Sequence, residues 1–365
     1  MKDYILYSWN IIPIAVFYAL PVMQLVFSYQ VMHNNTGNED KCYYNFMCAN
    51  SFGQLSAFNN VFSNTGYILL GILYLIIVRL KATYGNSSED KKYFGLHYAL
   101  GIALIMEGVL SGSYHVCPNR SNYQFDTSYM YIMVCLTTLK LFQNRHRDEL
   151  ASAHVTYIWL AVFAIIAVLG LVCGTLAFWI ILVFVHIGAS CILTCLYYNE
   201  GHWRRPDENT QNADEKVVIG QTILIVVVNL FNLSAAIAAA VVQPDDFETY
   251  LLGVLMINSG LYFLFYIIMK PVCGECYAVF SVLWFFVAIG LWIPAWIYFR
   301  QGLTRWETTP AISREGNKDC SWFDFYDDHD IWHFLSAGAL FFTFLTLLTI
   351  DDNLDGEGAD DIAKF

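Results

Sequence analysis

Charge is what this 365-residue chain has least of: only 14% of its residues are Asp, Glu, Lys or Arg. A soluble domain carries about a quarter, so the chain cannot cover a water-facing surface of its own size. Positive charge is scarcer still, with 19 Lys and Arg against 31 Asp and Glu and a net charge of -12. That balance is a poor match to a polyanion, whose binding rests on cations facing phosphates. The N-terminus lacks both a basic region and a small-residue cleavage site, so Met1 to Asn10 does not read as a removable signal. Heptads, low-complexity runs and clear internal repeats are also missing from the sequence.

What is there instead is apolar residues, 57% of the chain, gathered in blocks such as 155–172, 222–242 and 278–297. Each block is near the ~20 residues that span a ~30 Å hydrocarbon core as a helix. None shows the polar stripe at helical period that a surface helix needs. The expected fold class is all-α, a polytopic transmembrane helix bundle of about ten spans. They are expected at 5–31, 54–80, 94–116, 126–144, 153–172, 175–199, 217–243, 248–270, 277–300 and 333–350.

Orientation follows from the Lys and Arg bias of the connections. With both termini in the cytosol, 13 of the 19 basic residues fall inside and 6 outside. The tail 351–365, acidic to Asp361, is then cytosolic. Cys42, Cys48, Cys117 and Cys320 fall on outward loops, where an oxidising compartment permits disulfides. Four cysteines allow three pairings, and spacing does not choose among them. Cys135, Cys173, Cys191 and Cys195 read as packed thiols in or beside spans. Asn119-Arg120-Ser121 is a glycosylation sequon on an outward loop, whereas Asn86-Ser87-Ser88 falls inside. Cys273 and Cys276 form an inward CxxC that lacks the second ligand pair a metal site needs, and it reads as structural.

Ionisable residues within spans are costly and mark function by default. Glu107, Ser111 and His115 are spaced i, i+4, i+8 and line one face of the third span. Asp126 opens the fourth span, and His329 and His333 stand i, i+4 at the start of the last. With the third span running outward and the fourth and tenth inward, all four groups meet at one membrane depth on the outer side. Three imidazoles and a carboxylate suit Zn²⁺, as a closed site or with a position open to water. The expected ligands are His115, His329 and His333. Asp126 is the fourth ligand or a base, Ser111 a supporting or oxyanion-stabilising hydroxyl, and Glu107 a deeper polar partner. An isolated HxxxH at a membrane interface is usually only solvated, but the agreement of three helices favours a metal. An open position would give lipid amide or ester hydrolysis, and a closed one a structural zinc. His97 and His186 read as packing or helix–helix hydrogen bonds, and His33, His146, His154 and His202 as solvated. Leu264-Phe265-Tyr266 with Lys270 matches a proposed cholesterol-contact pattern, although a snorkelling lysine explains it equally well.

Five longer motifs carry a family resemblance: Cys42-Tyr43-Tyr44-Asn45-Phe46, Leu55-Ser56-Ala57-Phe58-Asn59-Asn60, the run from Ser111 to Pro118, Phe125-Asp126-Thr127-Ser128 and the run from Phe325 to His333. Over nearly its whole length the chain resembles the systemic-RNAi-defective (SID) transmembrane family. The resemblance implies uptake of double-stranded RNA and, in some members, handling of cholesterol or other lipids at the plasma membrane or in endolysosomes, with a homo-oligomer as an open alternative. It also implies likeness to the superfamily of alkaline ceramidases and progestin and adiponectin receptors, whose Ser, His, Asp and HxxxH pattern binds zinc. Ser111, His115, Asp126, His329 and His333 match that pattern. Family members carry a β-rich extracellular region and one further span before the part seen here. The chain therefore reads as a single transmembrane domain over 1–365 without that region, and RNA contact is expected mainly through the missing ectodomain.

Overall fold

The computed structural model describes residues 3–84, 94–146, 152–173, 175–203, 211–244, 246–305, 307–354 and 362–365. Helices occupy all ten segments expected from hydropathy. In chain order they are α1 (Asp3–Thr36), α2 (Phe58–Ser63), α3 (Thr65–Tyr84), α4 (Gly95–Tyr114), α5 (Gln124–Arg145) and α6 (Ala153–Cys173). These are followed by α7 (Leu176–Trp203), α8 (Gln211–Val242), α9 (Phe247–Val272), α10 (Val279–Phe299), the short α11 (Pro310–Arg314) and α12 (Asp328–Thr349). Among the described residues no strand forms, and only two isolated β-bridges appear, Phe52 with Leu55 and Trp322 with Tyr326.

Eight segments among the described residues are long and apolar enough to cross a bilayer, with α2 and α3 together forming one of them. The difference from ten lies in α5 and α6. Helix α5 has the length, but it carries Asp126, Thr127, Lys140 and Arg145 within its turns. Helix α6 is 21 residues long and apolar, and its side chains are described over Ala153–Ala167. Broad outward faces of large apolar side chains, such as Trp159, Phe184, Ile192, Val279 and Phe280, are exposed. In water that would be a severe cost, and in lipid it is the expected solvent-facing surface. Cys191 and Cys195 belong to such faces and are exposed, not packed as expected, while Cys135 is half-buried. The Cys173 side chain, Asn86-Ser87-Ser88, several inner-side cations (Lys91, Lys92, Arg147, Arg204, Arg205) and the tail from 355 to 361 lie outside the described residues.

The chain divides into two compact units. The first comprises residues 1–140, 151–160 and 278–352. At its centre α4 packs against α3 through glycines: a Cβ on Gly108 would stand 2.7 Å from the Ile68 side chain and 2.8 Å from the Asn64 carbonyl. A Cβ on Gly71 would stand 2.7 Å from Ile105, so neither position accepts a side chain at this separation. Small residues are how membrane helices reach such proximity. Helix α12 packs along α10 and α3, and His97 on α4 is held by the Tyr74 hydroxyl at 2.7 Å. At one end Lys81 pairs with Asp352 and donates to the Leu348 carbonyl at 2.7 Å. At the other end disulfides Cys42–Cys117 and Cys48–Cys320 select one of the three possible pairings. The Tyr44 hydroxyl, beside the first disulfide, donates to the Val116 carbonyl at 2.5 Å. Burial raises that phenol well above its ordinary range.

The second unit comprises residues 141–150, 161–277 and 353–365. Its helices α7, α8 and α9 are tied by amides: Asn232 and Asn258 exchange two hydrogen bonds of 2.8 and 3.0 Å, and His186 Nε2 meets Asn232 Oδ1 at 2.8 Å. Arg145, fully buried, makes a two-oxygen contact with Glu275 at 2.7 and 2.9 Å and lies over the rings of Tyr266 and Phe365.

Candidate functional site

The site lies in the first unit, at the end that carries the disulfides. Helix α4 ends at Tyr114, and its C-cap residue is His115, whose backbone N–H still bonds the Ser111 carbonyl at 3.0 Å. The ring is therefore delivered by the last turn of a buried helix. Helix α12 begins one residue before His329, behind a capping box: the Asp327 side chain accepts from the Asp330 N–H, and the Asp330 side chain accepts from the Asp327 N–H. This cap pins the first turn, and the i, i+4 spacing places both histidines of α12 on one face.

The outcome is a cluster of three imidazoles. Ring centroids stand 5.0 Å apart for His115 and His329, 4.8 Å for His115 and His333, and 4.5 Å for His329 and His333. One nitrogen from each ring lies within 4.8 Å of the others. His115 and His333 are buried and His329 is half-buried. The Nε2 atoms of His115 and His329 are buried without a hydrogen-bond partner among the described residues. Buried polar atoms ordinarily find one, so these two nitrogens keep unused bonding capacity within the cluster. His333 differs, because its Nδ1 meets the Ser63 hydroxyl at 2.8 Å and the Asn64 side-chain amide at 3.3 Å. With Nδ1 occupied, Nε2 of His333 is the nitrogen left for the cluster.

A donor set of this kind can hold a metal ion. Nitrogens that share one tetrahedral zinc stand roughly 3.3 Å apart, given Zn–N distances of about 2.0–2.1 Å. Closing from 4.8 Å calls for a shift of about 1.5 Å between ring nitrogens. The Ser63–His333 contact is of the kind that fixes tautomer and ring plane where a histidine ligates a metal. Asp126, half-buried at the start of α5, reaches His115 Nε2 with Oδ1 at 3.8 Å, too long for a hydrogen bond. Its carboxylate also takes a hydrogen bond from the Ser111 side chain. Glu107 lies one turn deeper on α4, fully buried, with Oε2 unpartnered among the described residues.

Ser111, His115, Asp126, His329 and His333 thus lie together with Glu107 one turn deeper, and the structure adds others. Asn59, Asn60, Ser63 and Asn64 form a polar face at the entry to an otherwise apolar span. Their i, i+1, i+4, i+5 spacing was the available signal, since amides have no reason to recur at helical period on a lipid-facing entry. Tyr326, just before the cap, has its phenol raised by burial and by the neighbouring Asp330 charge.

Comparison with known proteins places the chain in a family. The model of a family described as the dsRNA-gated channel SID-1 matches residues 1–365. The chain belongs to the SID-1 family. It is 48% identical over 389 aligned residues to human (Homo sapiens) SID1 transmembrane family member 1, an alignment that covers 100% of this chain and 47% of the relative. The mouse (Mus musculus) protein of the same name is 48% identical over the same share of each chain. Cholesterol uptake protein 1 of Caenorhabditis elegans is 33% identical over 375 residues, covering 96% of this chain and 50% of the relative. The chain spans about half the length of the curated relatives it matches.

Proposed function

We propose that this chain is the membrane-embedded part of a double-stranded RNA uptake protein, with a zinc ion held near the outer face. Membership of the SID-1 family supports the transport role. The three converging imidazoles, two with orphaned Nε2 atoms, support the metal. His115, His329 and His333 supply the nitrogens, and Asp126 supplies the fourth ligand or holds a water beside it. The histidine end carries both disulfides. Such bonds persist in oxidising compartments, which supports an outward or lumenal histidine face and cytosolic termini at the plasma membrane or in endolysosomes. Membrane lipid is the natural second partner, and the name of the worm relative favours a sterol among its ligands.

The first test is the metal content of the purified protein beside His329→Ala/His333→Ala. About one zinc per chain, lost in the double variant, is expected, and a metal-free, well-folded wild type refutes the metal. The transport role is tested by internalisation of labelled double-stranded RNA in cells expressing the protein. Uptake no greater than in untransfected cells refutes that role.

A second reading, a lipid amide or ester hydrolase, is favoured by the Ser111–Asp126 hydrogen bond beside the imidazoles. Bound zinc supplies Lewis-acid activation of a carbonyl or of water. Asp126 holds or takes a proton near His115, Ser111 orients that carboxylate, and the buried ends of α4 and α12 keep bulk water out. Release of fatty acid from ceramide or phospholipid, abolished by His333→Ala, is the expected result. Release that survives the substitution eliminates this reading.

A further inference from the structure

The first turn of α12 is held by more than its own cap. Asp327 and Asp330 are both buried, and their oxygens meet side-chain amides from a different part of the chain. Asn59 Nδ2 donates to Asp330 Oδ2 at 2.9 Å, and Asn60 Nδ2 donates to Asp330 Oδ1 at 3.0 Å. Asn45 Nδ2 donates to Asp327 Oδ2 at 3.1 Å. The amides of Asn59 and Asn45 cannot be turned around, because their Oδ1 atoms accept backbone N–H groups from Asn50 at 2.9 Å and Lys318 at 3.1 Å. The clamp is therefore directional, with amide NH₂ groups on one side and carboxylates on the other.

Its position explains what it controls. Asp330 is one turn before His333 and adjacent to His329, and the helix that carries Asn59 and Asn60 also carries Ser63, which meets His333 Nδ1. A capping box fixes where α12 starts but not its roll, which packing along α10 and α3 limits over the length of the helix. Two amides gripping the two oxygens of one carboxylate fix that roll at the histidine end. Side-chain atoms lie about 5–6 Å from a helix axis, so a roll of about 20° would carry the histidine rings on the order of 2 Å from His115.

We propose that Asn59 and Asn60 are positioning residues for the metal centre: by clamping Asp330 they set the roll of α12 that turns His329 and His333 toward His115. The inference rests on the reading of the three histidines as metal ligands. It assigns Asn59 and Asn60 a task that their position on a separate helix does not suggest.

The test uses Asn60→Asp, which places a carboxylate against Asp330, and the exchange Asn60→Asp/Asp330→Asn, which restores one amide against one carboxylate with donor and acceptor swapped. Asn60→Ser, which adds no charge, is run beside them in case the first variant does not fold. Metal-stripped protein in detergent is titrated with Co²⁺, followed by its visible ligand-field bands, and then competed with Zn²⁺. Hydrogen exchange of residues 327–336 is measured without metal. The single variants should bind either metal at least about tenfold more weakly, as loss of an outer partner of a ligand does. They should also shift the Co²⁺ bands and speed exchange in the first turn of α12, and the exchange variant should recover all three. Wild-type affinity and bands in the folded single variants overturn the proposal. If the wild type binds neither metal, the metal reading fails by itself. The clamp is then judged on hydrogen exchange, where unchanged protection in the single variants refutes it and a loss repaired by the swap upholds it.

Discussion

Gly108→Ala is the sharpest probe of how the bundle builds its site. The added methyl would sit 2.7 Å from the Ile68 side chain, 2.8 Å from the Asn64 carbonyl oxygen and 3.1 Å from the Ile68 backbone nitrogen. Ordinary contact begins near 3.4 Å, so α4 must withdraw from α3 by about 0.6 Å or more, since two of the three obstacles are backbone and cannot rotate away. Overpacking of this kind costs about 1–3 kcal/mol. Asn64 also touches His333 Nδ1 with its side-chain amide at 3.3 Å, so withdrawal strains the support of the histidine. The assay is thermal unfolding in detergent together with metal affinity, with Gly290→Ala on α10 as control, since a Cβ there meets nothing within 4 Å. Gly108→Ala should lose several degrees in Tm and bind metal more weakly, while Gly290→Ala should match or slightly exceed the wild type. Equal Tm and equal affinity for the two variants would refute the claim that α3–α4 proximity positions the cluster.

Further outcomes follow from the same geometry. Tyr74→Phe removes the hydroxyl that meets buried His97 and should cost about 1–2 kcal/mol, read by detergent unfolding; no loss means that the ring finds another partner. Glu275→Ala leaves Arg145 buried without the two carboxylate contacts and should cost about 3–5 kcal/mol, whereas the same change at exposed Glu39 should be near neutral. A double-mutant cycle on Asn232 and Asn258 should give a coupling of about 0.6–1.7 kcal/mol, and a coupling of zero would mean that lipid-exposed helices find equivalent partners apart. Cys48→Ser should loosen the loop tied to the entry of α12. Limited proteolysis between 300 and 327 should then accelerate, and an unchanged digestion pattern would show that the amide clamp suffices without the disulfide.

Much of this was legible before any coordinates. Hydropathy located every long helix because a bilayer allows one solution to backbone hydrogen bonding over ~20 apolar residues. It stands out least at α5, where burial by neighbouring protein admits polar side chains such as Lys140. The Glu107, Ser111, His115 face and the His329, His333 pair were readable because helical period is local and costly polar groups in apolar runs stand out. That the two histidine-bearing helices meet could be argued only from membrane depth. Their actual contact, and the orphaned Nε2 atoms, came from the packing of α12 and α4 against α3.

What the sequence by itself determined is therefore everything that depends on near neighbours in the chain: which segments are helical, which face of each carries chemistry, and which cysteines share a side. What only the tertiary structure decided is everything that depends on roll and register between helices. The disulfide partners, the glycine approach of α3 to α4 and the amide clamp on Asp330 are of that kind. The physical reason is that lipid solvates any apolar face equally well. Hydropathy therefore leaves the rotation of a membrane helix undetermined, and a few buried polar bonds between distant residues set it.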